Sequence, residues 1–319
     1  MRKAVVTLAI GEKYERMFED YCKDNWQQYC DRFGYELIVI TEPLDSSARA
    51  NLRSPAWQKL LILSQDWSAE YDRVVWIDTD IVINNAYASD ICEGVPIDKV
   101  GAVEAYSIPS REIHDITLER MYRYWDRENI KYLDNRTPKS YYTNRGLPEN
   151  SLKEVVHTGV FVCSPKYHRE IFEYVYNNYE DARGAEWNYE MPMLSFELVK
   201  ANLVHWISPR FNFAVLYVAA AYYPDDLLGF EKPQNKAETS ARSRSLLEKI
   251  LHMAREQKPI NILEEREVKC LKNIYELSVF MHFAGCTHLI QKSTSFISSG
   301  NNSINSINHK PVMCAVSRV

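Results

Sequence analysis

The stretch "RVVWIDTDIVIN", residues 73–84, sets two aspartates, Asp78 and Asp80, one residue apart at the end of an apolar, strand-forming run. A buried strand does not end in two like charges without a reason. Residues i and i+2 of a strand point to the same side, so both carboxylates face one space if the strand continues through them. Two carboxylates that close repel, and one takes up a proton unless a cation lies between them. Hard oxygen ligands at a strand end suit Mg²⁺ or Mn²⁺, which commonly takes one or two protein carboxylates and completes its shell with phosphate and water. The competing reading makes Asp78 a turn cap and leaves Asp80 in solvent.

Outward from this pair the chain reads as alternating strands and helices. "AVVTLAI" at 4–10 is a strand ending at Gly11, and the apolar stripe Tyr14, Met17, Phe18, Tyr21, Cys22, Trp26, Tyr29, Cys30 and Phe33 predicts a helix that stops at Gly34. "YELIVI" at 35–40 completes a strand, helix, strand unit, which favours a parallel sheet. Ser54 and Pro55 open a further helix, "SPAWQKLLIL", that feeds the aspartate strand. Later strands are predicted at 100–105, 155–164, 203–207 and 277–283, and helices at about 165–180, 188–201, 241–257 and 262–276. Residues 106–152 are rich in charge and tyrosine without a sustained period, and read as a long loop or short-helix excursion over one face. The Ser-, Asn- and Ile-rich end from 291 to 319 reads as a flexible or docking tail.

The totals bound the function. The 319 residues are 46% apolar and 25% charged, an ordinary globular composition. A net charge of −5 offers no electrostatic case for nucleic acid as a partner. The seven cysteines form no CxxC pair and read as reduced core thiols, and no apolar run reaches the roughly 20 residues of a membrane helix. With no convincing signal peptide at "MRKAVVTLAIGEKY", the expected location is cytoplasmic.

An apolar strand running into DxD, a tryptophan-lysine helix just before it, "HTGVFV" at 157–162 and a late "MHFAG" at 281–285 together resemble the nucleotide-sugar-dependent glycosyltransferases of the GT-A fold. The order is most similar to the retaining families that include glycogenin, the lipopolysaccharide galactosyltransferases, and the mannan and xyloglucan transferases. The resemblance implies an α/β fold, a Rossmann-like, mostly parallel mixed sheet flanked by helices, forming one catalytic domain over 1–290 with a helical portion at 231–276. It also implies a nucleoside-diphosphate sugar donor, with UDP-hexose first, a glycan or other glycoconjugate acceptor, and Mn²⁺ or Mg²⁺ as cofactor.

Carried across residue by residue, the resemblance assigns the nucleotide to Thr7, Leu8, Ala9, Ile10 and Tyr14, though Tyr14 also opens the helix stripe and reads equally as core. Lys59 is the basic residue facing the donor, and Trp57 beside it reads as packing. Asp78 and Asp80 are the two DxD acids, and His282 the third metal ligand. Gly285 would let the backbone approach the diphosphate. Where these families carry a lysine three residues past that glycine, this chain has His288, which could neutralise the β-phosphate only when protonated. His157, standing where an asparagine is usual, would touch the transferred sugar together with Thr158 and Gly159. In "NYEMPM" the family's acidic pair is reduced to Glu190 followed by Met191, and Glu190 reads either as a sugar- or acceptor-binding carboxylate or as a first-turn helix acid. Asn212 in "SPRFNF" matches a loop asparagine of these enzymes with weak specificity.

Retention would need no protein base, because the departing diphosphate could take the acceptor's proton; inversion would make Glu190 the base. Two rivals stand beside this. "DTDIV" also fits the nucleophile motif of haloacid-dehalogenase-like phosphatases, although those chains usually begin with that strand, here the third predicted, and close with a second acidic motif, where here "PDD" at 224–226 lies in a loop-like context; the substitutions at His157, Met191 and His288 would suit a non-catalytic carbohydrate-binding protein.

Overall fold

The computed structural model describes residues 1–148, 151–181, 189–229 and 264–300, with residues 298–300 described by backbone only. The expected helix at 241–257 and the end of the expected tail, 301–319, lie outside the described residues.

Six strands form the main sheet in the order β2 (Tyr35–Ile40), β1 (Lys3–Leu8), β3 (Arg73–Ile77), β6 (Val156–Cys163), β5 (Val100–Glu104), β7 (Val204–Trp206). All pairings are parallel except those of β6, which runs against β3 and β5. A second sheet of three short strands, β4 (Ile81–Ile83), β9 (Phe280–His282) and β8 (Phe213–Ala214), lies in that order. The helices in chain order are α1 (Glu12–Tyr21), α2 (Lys23–Phe33), α3 (His114–Arg127), α4 (Pro138–Thr143), α5 (Pro165–Asn178), α6 (Met191–Lys200), α7 (Val215–Tyr222), α8 (Pro224–Leu228), α9 (264–277) and α10 (Ile290–Gly300). This is the mixed, mostly parallel α/β architecture that the resemblance implied.

The period of two along the central strands sorts the core into two layers. Val5, Val75, Ile77, Val160 and Val162 pack on one face, and Ala4, Val6, Val74, Trp76, Phe161 and Cys163 on the other. Because both faces are covered, β3 reads as a continuous apolar run rather than an alternating one. Cys22, Cys30, Cys92, Cys163, Cys270 and Cys286 are buried free thiols, as expected.

Three local expectations are corrected. The helix read across 14–33 is two, α1 and α2, meeting at Cys22, whose thiol donates to the Thr79 carbonyl at 3.2 Å. Gly34 ends α2 in the left-handed region at φ 70, where glycine carries no Cβ penalty. The 54–64 helix starts at its Ser54 cap but winds as a tight 3₁₀ segment, Pro55–Ser64. In 106–152, α3 does carry a helical period: His114, Thr117, Leu118, Met121, Tyr122 and Trp125 form its buried face. Two of those positions are polar residues, so the stripe was hidden from an apolar count. At the end of the described chain, α10 docks Phe296 into the core. Among the described residues no helix is long and apolar enough to cross a membrane.

What matters for the site is a change of sheet at the aspartates. β3 ends at Ile77, and after a turn β4 leaves to pair with β9 in register Ile81 to His282. The strand does not continue through both acids, as the i, i+2 argument required. Their convergence comes instead from this turn, closed by the Phe283 amide donating to the Asp80 carbonyl at 3.0 Å.

Candidate functional site

The carboxyl ends of the parallel β1 and β3, the amino end of the antiparallel β6, and β9 of the second sheet open onto one cavity of about 550 Å³. An open α/β sheet binds its ligands at such strand ends. The acidic and basic side chains of the lining are Lys59, Asp78, Asp80, His157, Glu190 and His282.

One cluster is a set of convergent ligands. His282 Nε2 lies 3.1 Å from Asp80 Oδ1 and 3.9 Å from Asp78 Oδ2, and one ligand atom from each of the three residues falls within 4.8 Å of the others. Burial opposes charge on both His282 and Asp80, but their mutual attraction and hydrogen bond win, raising the imidazole's pKa and lowering the carboxyl's. The second ring nitrogen, His282 Nδ1, is 2.7 Å from Asn212 Oδ1, the outer-shell support that metal-binding histidines typically have.

The other cluster centres on a buried ammonium. Lys59 Nζ sits 2.9 Å from Asp78 Oδ1 and 3.1 Å from Glu190 Oε1. Desolvation works against that charge, yet the two carboxylates hold its pKa above the usual lysine value. Glu190 also accepts from Thr158 Oγ1 at 2.9 Å, and burial raises its pKa. Asp78 and Glu190 therefore share one lysine, while the two hard oxygen donors of Asp78 and Asp80, converging with an imidazole, fit a divalent cation.

Of the residues singled out in the sequence, Leu8, Ile10, Tyr14, Lys59, Asp78, Asp80, His157, Thr158, Gly159, Glu190, His282 and Gly285 all line this cavity. Thr7 and Ala9 do not, for they are fully buried, on the opposite side of the strand from Leu8 and Ile10. Tyr14 is 46% exposed, which removes its core reading. His288 is exposed and outside the lining, where Thr287 takes its place beside Gly285, itself at φ 72. Trp57 is packing, as read, with its indole N–H on Asp181.

Sequence reasoning missed Trp76, whose Nε1 donates to Asp78 Oδ1 at 2.7 Å while Lys59 Nζ lies 5.1 Å from its ring centre. Its position two residues before Asp78 was the available signal. The tyrosine-rich excursion adds Tyr106, Met121 and Trp125 to the cavity wall, facing Tyr217 of α7.

Among solved structures the chain is similar to a glycosyltransferase involved in the glycosylation of the major capsid of PBCV-1, at 13% identity over 90% of this chain and 98% of that one, with a TM-score of 0.43. It is also similar to the apo WbbM bifunctional glycosyltransferase, at 11% identity over 89% and 46% with TM-score 0.48. A third is galactosyltransferase LgtC in complex with donor and acceptor sugar analogs, at 15% over 66% and 76% with TM-score 0.37. All three are glycosyltransferases. No protein-family model matches the chain, and no curated protein matches it.

Proposed function

We propose that the chain is a metal-dependent glycosyltransferase that moves a sugar, a hexose on UDP being the first choice, from a nucleoside diphosphate to a hydroxyl of a glycan or other acceptor. The observation that carries this is the convergence of Asp78, Asp80 and His282, with Lys59 bridging Asp78 to Glu190, at the mouth of two parallel strands. Mn²⁺ or Mg²⁺ held by those three ligands would supply Lewis-acid stabilisation of the charge that collects on a departing diphosphate. Lys59 orients Asp78 and keeps Glu190 in place. Retention is favoured by the way Glu190 Oε1 is engaged by Thr158 and Lys59, which ties the carboxyl to the wall of the site rather than leaving it free to meet an acceptor hydroxyl.

The phosphatase reading loses its second motif. Asp225 and Asp226 lie in α8, outside the cavity lining, and Asp226 pairs with Arg266 at 2.5 Å.

Incubating the full chain with MnCl₂ and a panel of UDP-sugars tests the proposal. Release of UDP that stops with EDTA is the expected result, and Asp80→Asn should abolish it without loss of fold. Undiminished turnover in that variant would sink the metal site. Cleavage of a phosphomonoester instead would revive the phosphatase, and binding without turnover would leave a carbohydrate-binding protein.

A further inference from the structure

Three hydrogen bonds to Asn212 settle the protonation of two imidazoles without recourse to any proton position. The amide of this fully buried side chain approaches the main-chain oxygen of His157 at 3.2 Å with Nδ2. A carbonyl only accepts, so that end of the amide must be the NH₂ group, and the orientation of Asn212 follows. Its Oδ1 then faces His282 Nδ1 at 2.7 Å and can only accept, which puts a proton on that nitrogen and leaves Nε2 as the atom turned to Asp80. At the other end the same NH₂ lies 2.9 Å from His157 Nδ1, and the Gly159 amide N–H points at that nitrogen from 3.3 Å. Two groups that only donate meet at His157 Nδ1, so it accepts, and the ring's proton sits on Nε2. Among the described residues no hydrogen bond reaches His157 Nε2, and the residue lines the cavity.

We propose that Asn212 is a positioning residue that locks both rings, and that His157 thereby presents a neutral Nε2–H donor to a hydroxyl oxygen of the bound sugar. The second half rests on the glycosyl-transfer reading; the first does not. The geometry also explains what the histidine changes: an asparagine could offer a ligand either donor or acceptor, whereas this ring offers a donor alone. Because two donors meet at Nδ1, that nitrogen carries no proton and the ring is neutral.

Long-range ¹H–¹⁵N correlation on the full-length ¹⁵N-labelled chain at pH 8, with His157→Gln and His282→Gln for assignment, reads the tautomers directly. The expected signature is an unprotonated Nδ1 and protonated Nε2 on His157, with a protonated Nδ1 on His282. A protonated Nδ1 on His157, or an unprotonated Nδ1 on His282, would overturn the proposal. Asn212→Asp keeps an acceptor for His282 but removes the donor to His157, so only the His157 tautomer should shift toward Nδ1–H. An unchanged His157 in that variant would show that Asn212 does not set it. In a titration with MnCl₂ alone, Asn212→Ala should bind about tenfold to a hundredfold more weakly, the usual loss when an outer-shell partner is removed. Equal affinity would remove its role at His282, and if the alanine variant does not fold, the wild-type and aspartate spectra still decide. Finally, the His157 Nε2 resonance should move when a UDP-hexose is added with Mg²⁺ and hold still with UDP. If no UDP-hexose binds, the sugar contact falls with the reading it rests on, while the tautomers still judge Asn212.

Discussion

Gly159 and the ring of His282 compete for the same space: a Cβ at 159 would lie 2.4 Å from Cε1 and 2.8 Å from Nδ1 of the imidazole. The glycine at the head of β6 is thus what lets a ligand from the second sheet reach the aspartates of the first. Gly159→Ala must push the ring aside, and the ring is held by Asn212 and backed by packed strands. Overpacking of this kind costs about 1–3 kcal/mol of stability. The larger effect falls on function, since displacing a site group by about 1 Å can cost on the order of 100-fold in rate. Calorimetric titration with MnCl₂ and an assay of UDP release check this; a variant that binds and turns over normally would mean the ring is not a ligand.

That dependence on β6 was only half legible in the sequence. "HTGVFV" could be matched as a motif, but the role of its glycine follows from the β4 to β9 register, which sets His282 opposite Ile81, and no periodicity encodes a pairing between strands so far apart. The aspartates were legible because charge at the end of a buried strand is costly and therefore informative. The stated reason for their convergence, a continuous strand, was wrong, since the chain turns between sheets at that point. Thr7 and Ala9 were named with Leu8 and Ile10 because the reading took a whole strand end, whereas alternation sends only every second residue to the cavity. His288 was chosen by spacing, and a 3₁₀ turn at Thr287–Leu289 presents Thr287 instead. The aromatic wall from α3 stayed hidden because its buried face includes His114 and Thr117.

Lys59 is the sole lysine between two acids, with side chains 5% and 2% exposed at Lys59 and Glu190. Removing one partner of a buried pair strands the other's charge, which costs about 3–5 kcal/mol. Lys59→Met should therefore destabilise strongly in urea unfolding. Adding Glu190→Gln neutralises one stranded carboxylate, so the double variant should recover at least about 1 kcal/mol relative to the sum of the singles. Strict additivity would mean that the two side chains do not share a charge balance.

The His282–Asp80 pair sets a pH window for the metal-free protein. The imidazole's folded pKa is raised, so its contribution to stability is whole below the unfolded value of about 6.5 and is lost as pH climbs through the folded one. The carboxyl's is lowered, so its contribution holds above its unfolded value and fades as pH falls. With EDTA present, thermal stability should fall on the alkaline side by about 1.4 kcal/mol for each unit by which the His282 pKa is raised. His282→Gln should flatten that limb. Metal affinity runs the other way and should rise with pH, because a ligand imidazole must first give up its proton. A melting curve in EDTA that does not change between pH 6 and 9 would contradict the pairing.

Tyr14 sits in the first turn of α1, 46% exposed, with Lys13 Nζ 5.6 Å from its ring, and it lines the cavity beside Ile10. An exposed ring contributes little to folding, so Tyr14→Ala should leave stability within about 0.5 kcal/mol. If the ring is where the nucleotide base rests, losing the stacking surface should weaken binding by about 1–3 kcal/mol, the usual worth of one base on one aromatic ring. The loss should be the same for UDP as for a UDP-sugar, because the proposed reading would put the sugar at the other end, against His157 and Glu190. Tyr14→Phe should bind like the wild type, since stacking needs the ring and not its hydroxyl. Isothermal titration of UDP into the three proteins with Mg²⁺ separates these outcomes, and equal affinity in Tyr14→Ala would move the base away from β1 and α1.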